Sequence, residues 1–352
     1  MKILHVIESA ATGTLSIANM AANEQIKSND VSVIFSRRLD TPKNIESLFD
    51  PAVNLIEENL QASNFPFSVF ALRKHLKQLK PDVVHCHSSF AGFVGRLAAL
   101  GLKTKVFYSP HCISFMRQDI SPIKKGIFKV FELIASIKKS TYVACSQSEY
   151  NAIKAALPFT KVVLLENAVD LSDFKAPLNK QTQSATLKVV TVGGIRPQKG
   201  PAEFAKLANA FKSENIEFIW IGDGEQEHKQ CLIDVGLHVK GWMPREDVIN
   251  ELYQADLYLS TALWEGMPVS IIEACAAGLP VIARNCDGNK DIISHDVNGY
   301  LFDTTAEAIE QLSSYLVSPQ KLNDLANNGR QQVFERFAVS RFTAELDAIY
   351  SK

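Results

Sequence analysis

No stretch of the 352-residue sequence holds the ~20 consecutive apolar residues that a membrane-spanning helix needs. The six cysteines, at 86, 112, 145, 231, 275 and 286, show neither Cys-x-x-Cys nor any other metal-ligand spacing. Neither a disulfide framework nor a zinc site is expected, and the thiols read as reduced and mostly buried. No Gly-x-Gly-x-x-Gly follows the first apolar run, which disfavours a nicotinamide dehydrogenase. The opening residues, Met1 to Glu8, lack an apolar stretch long enough for a secretory leader, so a cytoplasmic protein is expected.

What is present is ordinary globular material, 46% apolar and 21% charged, in a length that suits two domains. The net charge of −1 is unevenly spread: residues 1–165 carry +8 and the remainder −9. A basic first half suits an anionic partner such as a membrane surface or a phosphorylated acceptor, although chance distribution gives the same count. Nothing points to nucleic acid.

Short β-branched runs alternate with amphipathic segments from the first residue onward, which implies parallel sheets covered by crossover helices. Strands are expected at 2–8, 31–36, 53–57, 82–87, 104–109, 141–145 and 162–166, with helical segments at 15–28, 67–79, 90–100 and 123–137. The period lapses over 173–186, a polar linker-like stretch, and resumes at Leu187. Further strands are expected at 187–193, 216–221, 237–241, 256–260, 279–283 and 299–302. The expected architecture is α/β, two facing doubly wound domains: 1–170, then a linker at 171–186, then 187–334. Residues 322–349 are helical by period, and a helix over about 335–352 is expected to return to the first domain.

The most informative segment is Trp264-Glu265-Gly266-Met267-Pro268-Val269, continuing to Glu273 and Ala276-Ala277-Gly278-Leu279-Pro280. Pro268 suits the first turn of a helix, and Gly278 its end. A helix start at this point presents unpaired N–H groups and positive partial charge, a ready seat for a diphosphate. Glu265 and Glu273 flank it. Carboxylates accept from neutral hydroxyls, and a diphosphate between two polyols is a nucleotide-sugar. Two unrelated surface glutamates remain the plain alternative.

A second segment, Gly193-Gly194-Ile195-Arg196-Pro197-Gln198-Lys199-Gly200, follows the restarting strand. Its glycines permit close backbone approach at a strand-to-helix turn, and Arg196 and Lys199 are spaced to converge on one diphosphate. Solvated surface charge would look the same.

Together these segments resemble the retaining glycosyltransferases of family 4, whose GT-B architecture is two facing Rossmann-like domains with a cleft between them. Weaker support comes from Asn167-Ala168-Val169-Asp170, Gly222-Asp223-Gly224-Glu225 and Asn298-Gly299. The resemblance implies that Arg196 and Lys199 hold the donor diphosphate, Glu265 the donor sugar and Glu273 the ribose. It further implies that Gly193, Gly194, Gly222 and the backbone of Gly266, Met267, Pro268 and Val269 line the donor, with Trp242 and Met243 near the base. His111, in Ser109-Pro110-His111-Cys112, is expected beside the transferred sugar; a purely structural hydrogen bond is its alternative. His85 and His87 are read as facing opposite sides of a strand, hence as poor joint metal ligands.

Three departures stand out. Ala10 to Thr14 replaces the family's first-loop glycine pair, leaving Gly13 and Thr14 as contacts to phosphate or acceptor. Ala168 stands for a usual glycine, and Asp291 for a common glutamate. No Asp-x-Asp occurs, so no metal and no cofactor are expected, with Arg196, Lys199 and the helix start in place of a cation.

The stretch 122–139 sets Ile123, Ile127, Phe131 and Ile134 along one helical face among Lys124, Lys125, Lys129, Lys138 and Lys139. It reads equally as a helix lying on anionic lipid and as a core helix with a basic outer face. The function expected is transfer of a hexose or related sugar from a nucleotide-sugar, with UDP favoured by the resemblance, to a saccharide or lipid-linked saccharide. Cell-surface polysaccharide assembly at the cytoplasmic face of a membrane would fit. An epimerase of the same architecture and a catalytically silent binding subunit are the alternatives.

Overall fold

The computed structural model describes residues 1–10, 12–38, 41–174 and 186–352. The chain divides into two compact units, one of residues 1–167 with 340–352 and the other of residues 168–339. Most of the polar stretch read as a linker, 175–185, lies outside the described residues.

In the first unit, strands β1 (Lys2–Ile7), β2 (Asp30–Phe35), β3 (Asn54–Glu57), β4 (Val83–His87), β5 (Lys105–Ser109), β6 (Thr141–Ala144) and β7 (Lys161–Leu164) form a seven-stranded sheet. Their order is β3-β2-β1-β4-β5-β6-β7 and every pairing is parallel. Helices α1 (Thr12–Gln25), α2 (Phe65–Leu79), α3 (Ser89–Ala98), α4 (Pro122–Ala135) and α5 (Gln147–Ala156) cross between strands. A parallel sheet covered on both faces demands apolar residues at nearly every position. That is why β4 is buried along its whole length, and why histidines within it are conspicuous.

The second unit repeats the plan. Strands β8 (Leu187–Val192), β9 (Ile216–Ile221), β10 (His238–Gly241), β11 (Leu257–Ser260), β12 (Val281–Arg284) and β13 (Tyr300–Phe302) run parallel in the order β10-β9-β8-β11-β12-β13. Helices α6 (Pro201–Ala210), α7 (Gln226–Asp234), α8 (Arg245–Gln254), α9 (Val269–Ala276), α10 (Thr305–Val317) and α11 (Gln320–Arg336) accompany them. Phe204, Phe218 and Trp220 pack edge to face at its core.

The expected helix over 322–349 is two helices, α11 and α12 (Val339–Ser351). The break is tied down: Val169 N donates to Phe337 O at 3.0 Å, and Val169 bridges Ala338. Beyond it, Tyr350 is fully buried against Phe107 and His85 of the first unit's sheet.

The environment of α4 bears on one of the two readings of its apolar stripe. Its buried residues are Glu132 and Ala135, not its apolar stripe. Glu132 pairs with the buried Arg96 of α3 at 2.6 Å and accepts from Tyr142 (2.7 Å) and Tyr108 (3.2 Å). Ile123, Ile127, Phe131 and Ile134 are exposed, Ile123 at 77%. A core helix with a basic outer face is therefore excluded. No helix among the described residues is long and apolar enough to cross a membrane.

Candidate active site

In an open α/β sheet, ligands gather at the carboxyl ends of the strands where the strand order reverses. In the second unit that point lies between β8 and β11, which pair directly. Lys199 follows the first of these strands and Glu265 the second. Their side chains meet at 2.7 Å, and both are largely buried.

Glu265 is fixed from several sides. Gln198 Nε2 donates to its Oε2 (3.1 Å) and to Trp264 O (3.0 Å). Its own N–H donates to Asp287 O at 3.0 Å. At Gly288 a Cβ would stand 2.6 Å from Glu265 Cβ, so only glycine fits there. Asp291 accepts from Gly288 N at 2.9 Å and so holds that turn.

Lys199 lies across Gly193, whose added Cβ would approach Lys199 Cε to 2.8 Å. Arg196 Nε and the exposed ring of Trp242 both border Gly194, at 3.7 and 3.5 Å from where its Cβ would be. Gly222 N donates to Gly241 O at 2.9 Å, which joins the Gly222 turn to the segment carrying Trp242 and Met243. Arg196 Nε is buried without a hydrogen-bond partner among the described residues. A guanidinium N–H left so costs about 1–3 kcal/mol unless a ligand satisfies it.

Pro268 is the N-cap of α9 rather than part of its first turn; the helix starts at Val269. The extended backbone of Pro268 and its missing N–H end the loop instead of opening the helix. Gly266, Met267 and Pro268 are buried beneath that start. Gly278 takes the left-handed conformation beyond the helix, as its position implied.

Glu273 sits one turn into α9 and is buried. Burial pushes its carboxyl up, and Arg245 opposes this through an ion pair at 2.6 Å. Arg245 in turn reaches Asp173 at 3.1 Å. Neither Gln198 nor Arg245 was singled out from the sequence, because each acts through a partner 28 or more positions away.

In the first unit the reversal lies between β1 and β4, and there the histidines collect. Residues two apart on a strand share a face. His85 and His87 accordingly stand side by side with ring centroids 4.3 Å apart, which corrects the expectation of opposite faces. His5 joins them from β1, and ligand atoms of the three rings lie within 4.8 Å of one another. Both ring nitrogens of each are already hydrogen-bonded to protein groups.

His111 is half-buried and linked to His87 at 3.0 Å. It and Cys112 hold positive φ angles of 54° and 88°. The buried Glu149 carboxylate clamps the turn, accepting from Cys112 N (2.7 Å), Ile113 N (2.8 Å) and Cys145 N (2.9 Å). Gly13 and Thr14 lie in the first turn of α1, where a Cβ on Gly13 would meet nothing within 4 Å. Packing therefore does not require that glycine.

Two family models match the chain: Glycosyltransferase Family 4 over residues 16–173 and Glycosyl transferases group 1 over residues 175–332. The chain belongs to glycosyltransferase family 4. This family 4 enzyme is a retaining glycosyltransferase of the GT-B fold class. An Escherichia coli relative, UDP-Gal:alpha-D-GlcNAc-diphosphoundecaprenol alpha-1,3-galactosyltransferase, is 29% identical, with 80% of this chain and 78% of that protein covered. A 41.2 kDa protein from the cps region of Klebsiella pneumoniae is 27% identical, with 90% of each covered. Among solved structures, Anabaena HepE in complex with UDP and glucose covers both chains fully, with a TM-score of 0.84 at 19% identity.

Proposed function

We propose that this family 4 enzyme transfers a hexose from a UDP-sugar, with retained anomeric configuration, to a lipid-linked saccharide during cell-surface polysaccharide assembly. One observation carries the donor half of this reading: Lys199 and Glu265 are paired at adjacent strand ends, and Lys199 is three residues from an Arg196 whose Nε–H lacks a partner among the described residues. Arg196 and Lys199 bind the diphosphate and stabilise the charge that develops as it departs. When phosphate draws the Lys199 ammonium away, Glu265 is released to accept from the donor sugar hydroxyls. Glu273, kept ready by Arg245, accepts from the ribose, and the exposed Trp242 offers a stacking face for the base. Gly193, Gly194, Gly222 and Met243 complete the donor lining.

The first-turn amides of α9, with the backbone of Gly266 to Val269, supply the positive end that a divalent cation would otherwise provide. His111 meets the transferred sugar, and Gly13 with Thr14 offers an open approach for phosphate or acceptor. The uridine preference rests on the donor in the E. coli relative's name and on the UDP bound to HepE. The lipid-linked acceptor rests on the diphosphoundecaprenol in the same relative's name, and on α4, whose apolar residues and lysines are exposed together.

A thermal-shift screen against UDP-, GDP-, ADP- and dTDP-sugars tests the donor. Stabilisation by UDP-sugars alone is expected, since a ligand that binds only the folded state raises its stability. A preference for another base would overturn the uridine assignment. Release of UDP that requires an acceptor separates transfer from epimerisation, and activity that persists in chelator supports the cation-free site. Co-sedimentation with vesicles containing anionic lipid should exceed that with neutral vesicles. Equal, weak binding to both would remove the membrane from the proposal.

A further inference from the structure

Buried polar side chains need partners, and the partners available here fix the direction in which protons are held. Gln25 and His5 are wholly buried and His87 nearly so. Asp347 of α12 accepts from Gln25 Nε2 at 3.3 Å. A carboxylate only accepts, so the amide must turn its NH2 towards Asp347 and its oxygen towards His5. The opposite orientation would set oxygen against oxygen.

Gln25 Oε1 lies 2.9 Å from His5 Nε2, and an amide oxygen also only accepts. His5 therefore carries its proton on Nε2. A neutral imidazole has one N–H and one lone pair, so His5 Nδ1 is an acceptor. It faces His87 Nε2 at 3.0 Å, which must then be the N–H of that ring. The same step repeats once more. His87 Nδ1 becomes an acceptor, and His111 Nε2, 3.0 Å away, is the N–H. Burial holds these rings neutral, pushing His5 and His111 down to about 4 and His87 well below its usual value.

We propose that the chain Asp347–Gln25–His5–His87–His111 fixes His111 in its Nε2–H form, so that His111 presents Nδ1 as a hydrogen-bond acceptor and never as a donor. Gln25, His5, His87 and Asp347 are positioning residues that act through His111. His111 Nδ1 has no partner among the described residues, so its lone pair is available to a hydroxyl of the substrate. The clamp of Glu149 on the strained turn at residues 111–113 keeps the ring aimed at His87. His85 does not set the polarity. Its two partners, Tyr350 Oη at 2.5 Å and Ser109 Oγ at 2.8 Å, are hydroxyls that can either donate or accept. The tautomer follows from the geometry alone, whereas its use in sugar transfer rests on the role proposed above for His111.

Long-range proton–nitrogen correlation spectra of the full chain, labelled with 15N-histidine, read the tautomers directly. His5, His87 and His111 are each expected as Nε2–H forms with unprotonated Nδ1. A protonated Nδ1 at His111 in the unsubstituted protein would overturn the proposal. Gln25→Leu removes the fixed acceptor, so a second, Nδ1–H population of His111 should appear; an unchanged spectrum would also overturn it. If Gln25→Leu does not fold, Asp347→Asn at a partly exposed position asks the same question, because a neutral amide no longer holds Gln25 one way round.

Kinetically, Gln25→Leu should lower kcat by about tenfold or more, as placing a working histidine in the wrong tautomer does, while the donor KM changes little. A rise in donor KM with kcat unchanged would count against an action through His111. Absence of sugar transfer with the expected tautomers in place would sink the functional reading and leave the chain of protons standing.

Discussion

At the scale of single residues, the proposed donor site trades stability for binding. Arg196 Nε is buried without a partner among the described residues, so Arg196→Met should leave thermal stability unchanged or raised without ligand, yet weaken UDP-sugar binding by tenfold or more, about 1.4 kcal/mol. Isothermal titration beside a melting curve checks both halves, and a variant that melts lower while binding normally would refute the assignment. Lys199→Ala acts differently, because it leaves Glu265 buried and unpaired. It should lower kcat steeply and also cost about 1–3 kcal/mol of stability.

The histidines carry a pH dependence. Burial lowers the pKa of His5, His85, His87 and His111 from the ordinary 6.5, so the unfolded chain takes up protons that the folded one refuses. Their contribution is complete above 6.5 and is lost as pH falls below it, down to about 4 for His5 and His111, at up to about 1.4 kcal/mol per pH unit for each ring. Glu149 and Glu273, raised by burial, oppose this but are fewer. Urea denaturation at pH 7, 6 and 5 should show a falling midpoint; a level one would mean that the rings are protonated in the folded state. Arg196, Lys199 and Glu265 stand out as candidates in the sequence because each belongs to a short segment at a strand end, and the structure brings Lys199 and Glu265 together. Gln198 gives no signal within the same segment, since its contact depends on Glu265 being opposite. The order Gln25–His5–His87–His111 was invisible because it joins four separate elements.

At the scale of the element, α4 shows where a periodic pattern is ambiguous. An apolar stripe at helical spacing reads the same whether it faces a core or a lipid surface. What removes the core reading is the opposite side, where Glu132 enters the protein and meets Arg96, Tyr108 and Tyr142. A lone glutamate in a basic helix gives no such signal without its partner. Arg96→Met should therefore cost about 3–5 kcal/mol, the price of stranding a buried carboxylate. Replacing the pair together, with Glu132→Gln added, should recover part of that loss. Chemical denaturation of the single and double variants measures it, and equal losses in both would mean that the pair is not coupled. The break between α11 and α12 leaves no local signal for a related reason: it is made by a bridge from Val169 to Ala338, not by a proline or glycine.

At the scale of the whole molecule, the strands were the most legible feature. All thirteen lie within a residue or two of the positions implied by alternating β-branched and amphipathic runs. Their spatial order was not written in any one run, yet it sets both reversal points and hence where charged groups can gather. The first unit depends on residues 340–352, which contribute Tyr350 to its interior. Tyr350→Ala should cost about 3–5 kcal/mol, as loss of a buried aromatic ring does. Melting of residues 1–167 expressed alone should be broad and low, and a sharp transition like that of the intact protein would show that this dependence is absent.

Tyr350 and Asp347 carry a consequence for biosynthesis. Because α12 packs Tyr350 against a sheet that is made first, the early half of the chain must wait, incomplete, while the rest emerges from the ribosome. At the usual 5–20 residues per second, that interval is about 10–40 seconds. Throughout it, Phe107, His85 and Gln25 lack the partners that α12 brings them.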